Sequence, residues 1–365
     1  MAVKMKYKKL FIPGPVEVKA PILKAMSHYM IGHRSQEFMD LYADTIPKLK
    51  QLLYTNQHVF LSTSSSTGIW ELGARNLVEK KALCCVMGEF SSKWAEVVKL
   101  CGKETEIISV EPGKAVKADQ IRAKLETGQF DALTLVHNET STGVMVEMES
   151  IAKVMKDFPN VTFMVDAVSS LSGVKIEMDR LGIDLLFAGV QKAFGLPPGL
   201  TVFAVSEKAM EKHKRIPNRG YYFDLGTFQK YAEKNQTPST PSISHIFALN
   251  AQLDAFMKEG LEKRFKRHSD MAEFTRKWAL KKGFGLFAEE GYRSITLTAV
   301  DNNANLVNVE KLNNALAKKK MHISDGYGPF KQKTFRIAHM GDLNLKDLKE
   351  LTSAIDDLMA KGVCK

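Results

Sequence analysis

The run Val161-Thr-Phe-Met-Val-Asp166-Ala-Val-Ser-Ser170 is followed by Leu185-Leu-Phe-Ala-Gly-Val-Gln-Lys192-Ala-Phe-Gly-Leu-Pro-Pro-Gly199. Each opens with a short, continuous apolar stretch and closes on polar residues. Strands covered on both faces have this texture, whereas half-exposed strands alternate. Working outward, further candidate strands are His58–Leu61, Leu83–Met87, Glu104–Ser109, Ala132–His137 and Leu200–Val205, several of them also continuous apolar stretches. With the two central runs they make seven candidate strands. Amphipathic helical windows lie between them at Thr67–Glu79, Ser91–Leu100, Lys117–Leu125 and Glu147–Phe158. Strand–helix alternation predicts an α/β fold with a mainly parallel seven-stranded sheet between helices.

The texture changes after about Lys212. The stretch Arg215–Pro241 is polar, with Tyr, Asn and Pro and no clean period, and is too long for a simple loop. A long helical region is expected over Ser242–Lys282. Short strands near Arg293–Thr298 and Thr334–Ala338 flank a helix at Val309–Lys319, and a last helix runs over Leu345–Lys361. These elements predict a smaller C-terminal α+β domain. The expected division is an N-terminal segment (1–20) associated with the small domain, a large domain (21–255) and the small domain (256–365).

The 365 residues carry 52 Lys+Arg against 41 Asp+Glu, a formal charge of +11, with 44% hydrophobic and 25% charged residues. These are ordinary globular proportions. The lysines are dispersed and no aromatic-interleaved basic block stands out, so no nucleic-acid partner is expected. The apolar runs are far shorter than a membrane span, and no apolar stretch follows the basic N-terminus as in a secretory signal. The four cysteines, Cys84, Cys85, Cys101 and Cys364, match neither a disulfide framework nor a zinc site. No metal and a cytoplasmic location are expected.

Lysine at the end of a core strand is unusual, because it is rarely buried without a partner or a task. Desolvation lowers its pKa and yields a usable amine nucleophile; snorkelling outward is the plain alternative. Asp166 ends a neighbouring strand, and ligands of open α/β sheets bind beyond the carboxyl ends of the strands. As a pair, Lys192 and Asp166 suit pyridoxal phosphate, which needs an amine for covalent attachment and a carboxylate to keep its pyridine nitrogen protonated. The segment Leu61-Ser-Thr-Ser-Ser-Ser-Thr-Gly68 opens a helix with hydroxyls and backbone N–H groups, as a phosphate cradle would. Ile69 follows Gly68, so this is no nucleotide P-loop.

Seven motifs in order and spacing then resemble the class V, fold-type I pyridoxal-phosphate aminotransferases of the alanine–glyoxylate / serine–pyruvate group. They are Pro13-Gly-Pro15, His33-Arg-Ser-Gln-Glu-Phe38, Ser64–Gly68, His137-Asn-Glu-Thr-Ser-Thr-Gly143, Val165-Asp-Ala-Val-Ser169, Gln191-Lys192 and Phe335-Arg-Ile-Ala-His-Met-Gly341. The resemblance implies Lys192 as the Schiff-base lysine and Asp166 as the partner of the pyridine nitrogen. It implies Ser65, Ser66, Thr67 and Gln191 at the phosphate, Phe90 stacked on the cofactor ring, Val168 on its other face, and Thr140, rather than Thr142, beside it. Arg336 would clamp the substrate carboxylate, and Gly14 and Pro15 would bind the substrate with it. Thr237 would reach the phosphate of a neighbouring subunit, implying a homodimer with shared active sites. The implied reaction moves an amino group from a small amino acid, alanine or serine, to a 2-oxo acid, glyoxylate or pyruvate. Phosphoserine aminotransferase is the alternative, since His33-Arg34 resembles a segment that meets a substrate phosphate there. A desulfurase or related lyase fits less well, because the only cysteine after Cys101 is Cys364.

Overall fold

The computed structural model describes residues 7–365. Seven strands form one sheet in the order His58–Ser62, Thr201–Val205, Leu185–Gly189, Thr162–Asp166, Ala132–Val136, Lys81–Val86, Glu104–Ser109. Only Thr201–Val205 runs antiparallel to its neighbours. The strands Ala132–Val136, Thr162–Asp166, Leu185–Gly189 and Thr201–Val205 are buried throughout, in keeping with their largely apolar sequence. Helices cover both faces: Leu49, Leu53 and Leu249 belong to one core, and Trp70, Leu77 and Trp94 to the other. Parallel register brings Asp166 and Gly189 to the same edge, so Lys192 emerges beside Asp166.

A second sheet of five strands has the order Lys9–Phe11, Met321–Asp325, Thr334–Ala338, Leu297–Asp301, Gly285–Leu286. Phe335 and Ile337 pack there against Leu351, Ile355 and Trp278 of the covering helices. The N-terminal strand Lys9–Phe11 pairs in parallel with Met321–Asp325, which ties the described start of the chain to this sheet.

One expectation is refined and two are corrected. The region Ser242–Lys282 is two helices, Ile243–Glu259 and Leu261–Lys281. Gly260 between them has φ +85°, a conformation L side chains rarely adopt. The strand expected at Arg293–Thr298 lies at Leu297–Asp301. Upstream of it, Ser294 Oγ accepts from the N–H groups of Thr296 and Leu297, folding that segment into a turn. The polar stretch Arg215–Pro241 contains the helix Leu225–Ala232, capped by Asp224, whose carboxylate accepts from the Thr227 N–H. Among the described residues no helix is long and apolar enough to cross a membrane.

Candidate active site

Beyond the carboxyl ends of the central strands lies a cavity of about 510 Å³. Lys192 and Asp166 both line it, and both are buried. Lys192 Nζ donates to Ser169 Oγ at 2.8 Å and Thr140 Oγ1 at 3.0 Å, neutral acceptors that do not offset the cost of burying a charge. Desolvation therefore lowers the Lys192 pKa to about 8, despite the opposing charges of Asp166 and Glu139. Desolvation likewise raises the Asp166 pKa to about 6, against the pull of its own donors. Those donors are the Val168 N–H, 2.8 Å from Oδ1, and Trp70 Nε1, 2.7 Å from Oδ2. Gly14 backs the lysine: with φ +126° it leaves room where a Cβ would stand 3.0 Å from Lys192 Cγ.

At one end of the cavity the helix Ser66–Leu77 begins, with Ser65 as its N-cap. The Ser65 side chain makes no capping bond. Ser65, Ser66, Thr67 and Gln191 all line the cavity. Gly189 has no side chain where a Cβ would overlap Gln191 Oε1 and stand 2.8 Å from Ser66 Oγ, so these polar groups converge over bare backbone. First-turn N–H groups, the helix dipole and converging hydroxyls suit a phosphate. Phe90 and Val168 line the walls. Phe90 stands on the helix Glu89–Leu100, whose N-terminus is fixed by the fully buried Glu139. The Glu139 carboxylate accepts from the N–H and Oγ of Ser91 at 3.0 and 2.9 Å and from the Ser141 hydroxyl at 2.7 Å.

Arg336 is largely buried at the side of this constellation, and burial lowers its pKa to about 10. Its Nε and Nη2 donate to the Asp325 carbonyl at 3.1 and 3.0 Å, and Nη1 to the Thr140 carbonyl at 3.2 Å. A guanidinium has five N–H groups, so one on each terminal nitrogen is left for a ligand. Thr140 thus joins the two cations: its carbonyl takes Arg336 and its hydroxyl takes Lys192. Thr142 turns away, its hydroxyl toward the Met87 carbonyl. Tyr327 stands between Phe90 and Arg336, 5.4 Å from the Phe90 ring and with its centroid 5.6 Å from Arg336 Cζ.

The structure brings together Lys192, Asp166, Ser65, Ser66, Thr67, Phe90, Thr140, Val168 and Gln191. Arg336 and Gly14 stand directly behind them. Pro15 is exposed and does not line the cavity. Thr237 lines a separate recess with Ser62, Thr63 and Tyr222, and its hydroxyl donates to the Ser239 carbonyl at 2.9 Å. Sequence reasoning missed Trp70, Ser169, Glu139 and Tyr327 as parts of the site. Ser169 lies inside a quoted motif; Trp70 carries no local signal beyond a helical apolar face.

A buried lysine and carboxylate across one cavity, with a phosphate-type cradle at its end, define a pyridoxal-phosphate-dependent transferase. The chain matches the family Aminotransferase class-V over residues 18–329 and belongs to it. It is 36% identical to an uncharacterized aminotransferase of Methanocaldococcus jannaschii over 96% of this chain and 92% of that one. It is 30% identical to a serine–glyoxylate aminotransferase of Methylorubrum extorquens, with 97% and 92% covered. Among solved structures it resembles an alanine–glyoxylate aminotransferase from Nostoc sp. at TM-score 0.92 and 27% identity, covering 98% and 97%. A phosphoserine aminotransferase from Cytophaga hutchinsonii gives 0.90 and 29%, covering 97% and 99%. The protein is a pyridoxal-phosphate-dependent aminotransferase of class V.

Proposed function

We propose that this aminotransferase moves the amino group of a small amino acid, alanine or serine, to glyoxylate or pyruvate. The observation that carries the proposal is the ring pair beside the arginine. Phe90 and Tyr327 stand 5.4 Å apart, with Lys192 Nζ 5.3 Å from the Phe90 centroid and Arg336 against Tyr327. A carboxylate on the free N–H groups of Arg336 leaves its Cα facing Lys192 across a gap walled by two rings, which favours a short side chain. The relatives named for serine–glyoxylate and alanine–glyoxylate transfer support the same substrates.

In this mechanism Ser65, Ser66, Thr67 and Gln191 would hold the cofactor's phosphate, Asp166 its pyridine nitrogen, and Phe90 and Val168 would pack on its ring. When bound, pyridoxal phosphate supplies a carbonyl for the incoming amine and a ring that withdraws electrons from Cα. Arg336 orients the substrate by gripping its carboxylate in a two-pronged fork. Lys192, whose lowered pKa leaves a usable fraction neutral near pH 7 to 8, removes the proton from the substrate Cα as a general base. Ser169 and Thr140 aim that amine. Asp166, ionised above pH of about 6, keeps a positive charge on the ring nitrogen.

Phosphoserine is the second reading, favoured by the Cytophaga hutchinsonii relative. Arg34, the residue that reading would use, holds the loop at Thr237. Its Nη1 donates to the Thr237 carbonyl at 2.7 Å and its Nη2 to the Pro238 carbonyl at 3.1 Å. We infer further that the protein is a homodimer in which the Thr237 loop completes the partner's site. A kcat/KM screen of alanine, serine and O-phosphoserine with glyoxylate, pyruvate and 2-oxoglutarate tests the proposal. Turnover of O-phosphoserine above that of alanine and serine would overturn it.

A further inference from the structure

Asp166 is held at both oxygens, and the donor at Oδ2 is the indole of Trp70 at 2.7 Å. Trp70 is on the helix Ser66–Leu77, one turn after Ser66 and Thr67, so a single helix presents both the phosphate donors and this indole. An indole carries one polar atom, and that atom only donates. It therefore stabilises Asp166 as a carboxylate and gives nothing to a protonated Oδ2. The ring is also immobilised. It stacks on Trp94 at 6.2 Å and 15°, and Trp94 meets Phe187 edge-on at 5.5 Å and 84°. Phe187 is the strand partner opposite Asp166, which closes the loop of contacts.

We propose that Trp70 is a positioning residue for the cofactor: its N–H fixes the rotamer of Asp166 and keeps it ionised in a site whose burial favours the neutral acid. The proposal rests on Asp166 as the partner of the pyridine nitrogen. The charged groups that face Asp166 are Lys192, from the segment after Leu185–Gly189, and Glu139, from the two-stranded hairpin Asn138–Glu139 / Val144–Met145. Lys192 stabilises the carboxylate and Glu139 opposes it. Neither touches Oδ2, which leaves the indole as the donor specific to that atom.

The test reads cofactor affinity against pH, apart from turnover. The dissociation constant of pyridoxal phosphate is measured between pH 5 and 8.5 by dilution of the reconstituted full-length protein. Trp70→Phe keeps the stack on Trp94 and removes the N–H. It is expected to move the acid limb of binding up by about one pH unit, weakening affinity roughly tenfold at pH 5 and little at pH 8. Trp70→His, whose Nε2 can stand where the indole nitrogen stood, should restore most of that shift. An unmoved limb in Trp70→Phe, or a loss equal at every pH, overturns the proposal. Asp166→Asn separates the two levels: the dependence that Lys192 imposes around pH 8 should remain, and survival of a second limb near pH 6 overturns the reading of Asp166 itself. A measurement on the unsubstituted protein serves should Trp70→Phe not fold. The indole ¹⁵N–¹H resonance of Trp70 should titrate with Asp166 in the full chain without cofactor, and a resonance that stays flat through that range overturns the proposal.

Discussion

Ser169 Oγ receives a hydrogen bond from Lys192 Nζ at 2.8 Å, so the one lysine that ends a core strand inside the cavity is aimed by a neutral hydroxyl. A salt bridge would have held the amine protonated; this contact holds it in place and leaves its pKa low. Lys192→Ala should therefore abolish covalent cofactor attachment and lower kcat by several orders of magnitude, while the melting temperature of the protein changes little. Loss of the visible cofactor band together with activity is the expected result. Near wild-type turnover would remove Lys192 from its role.

The same burial predicts how cofactor uptake depends on pH. An amine attacks a carbonyl only when it carries no proton. With the Lys192 pKa lowered to about 8, uptake by protein prepared without cofactor should speed up about tenfold per unit from pH 6 to 8 and then level off. Asp166, raised to about 6, is ionised over nearly all of that range and adds a second loss of affinity below it. The linkage has a matching sign. A lysine whose folded pKa lies below its unfolded value of 10.5 favours folding above that value, and this contribution is lost as pH falls through about 8. Stopped-flow mixing across the range checks the rate. A pH-independent rate between 6 and 8 would contradict a desolvated lysine.

Arg336 offers a sharper separation of binding from chemistry. Its planar fork has one N–H free on each terminal nitrogen, whereas lysine presents a point charge on a flexible stem. Arg336→Lys should raise KM for the amino donor about 100-fold, equivalent to roughly 3 kcal/mol, with a smaller fall in kcat. Cofactor binding should be largely kept, since Arg336 bonds to the Asp325 and Thr140 carbonyls and to none of the residues assigned to the phosphate or the ring nitrogen. Equal losses for amino acids and for amines lacking a carboxylate would exclude the clamp role.

How far the site can be read in the sequence follows from where each residue's partner lies. Lys192 and Asp166 are legible because each ends a continuous apolar run, and a charged residue there needs a reason. The phosphate cradle is legible because its hydroxyls are contiguous, Ser62 to Thr67. Trp70 is not, because its partner Asp166 lies 96 positions away and the helix around it looks like ordinary core. Tyr327 is equally hidden, since its place between Phe90 and Arg336 depends on how the two sheets meet. In the fold, apolar periodicity ran through Gly260 undetected, since a single glycine barely alters it. The strand Met321–Asp325 carries one buried residue in five, too little to register as a run.

Assembly gives the last prediction. Tyr29 and Tyr221 are 96% and 92% exposed, beside Met30 at 70%, which is unusual for side chains of this size unless another surface covers them. Arg34 fastens the Thr237 loop through its carbonyls and packs 4.6 Å from the Tyr231 ring, so the loop is braced although it does not line its own chain's cavity. In the proposed homodimer each loop completes the partner's phosphate site. Thr237→Glu should then repel the phosphate and inactivate the protein without unfolding it. Mixed with inactive Lys192→Ala under conditions of subunit exchange, it forms hybrids in which one site carries both lesions and the other carries none. With half the dimers hybrid, activity should return to about one quarter of wild type. Recovery that stays at the parental background, with exchange demonstrated by differently tagged chains, would show that each chain builds its site alone.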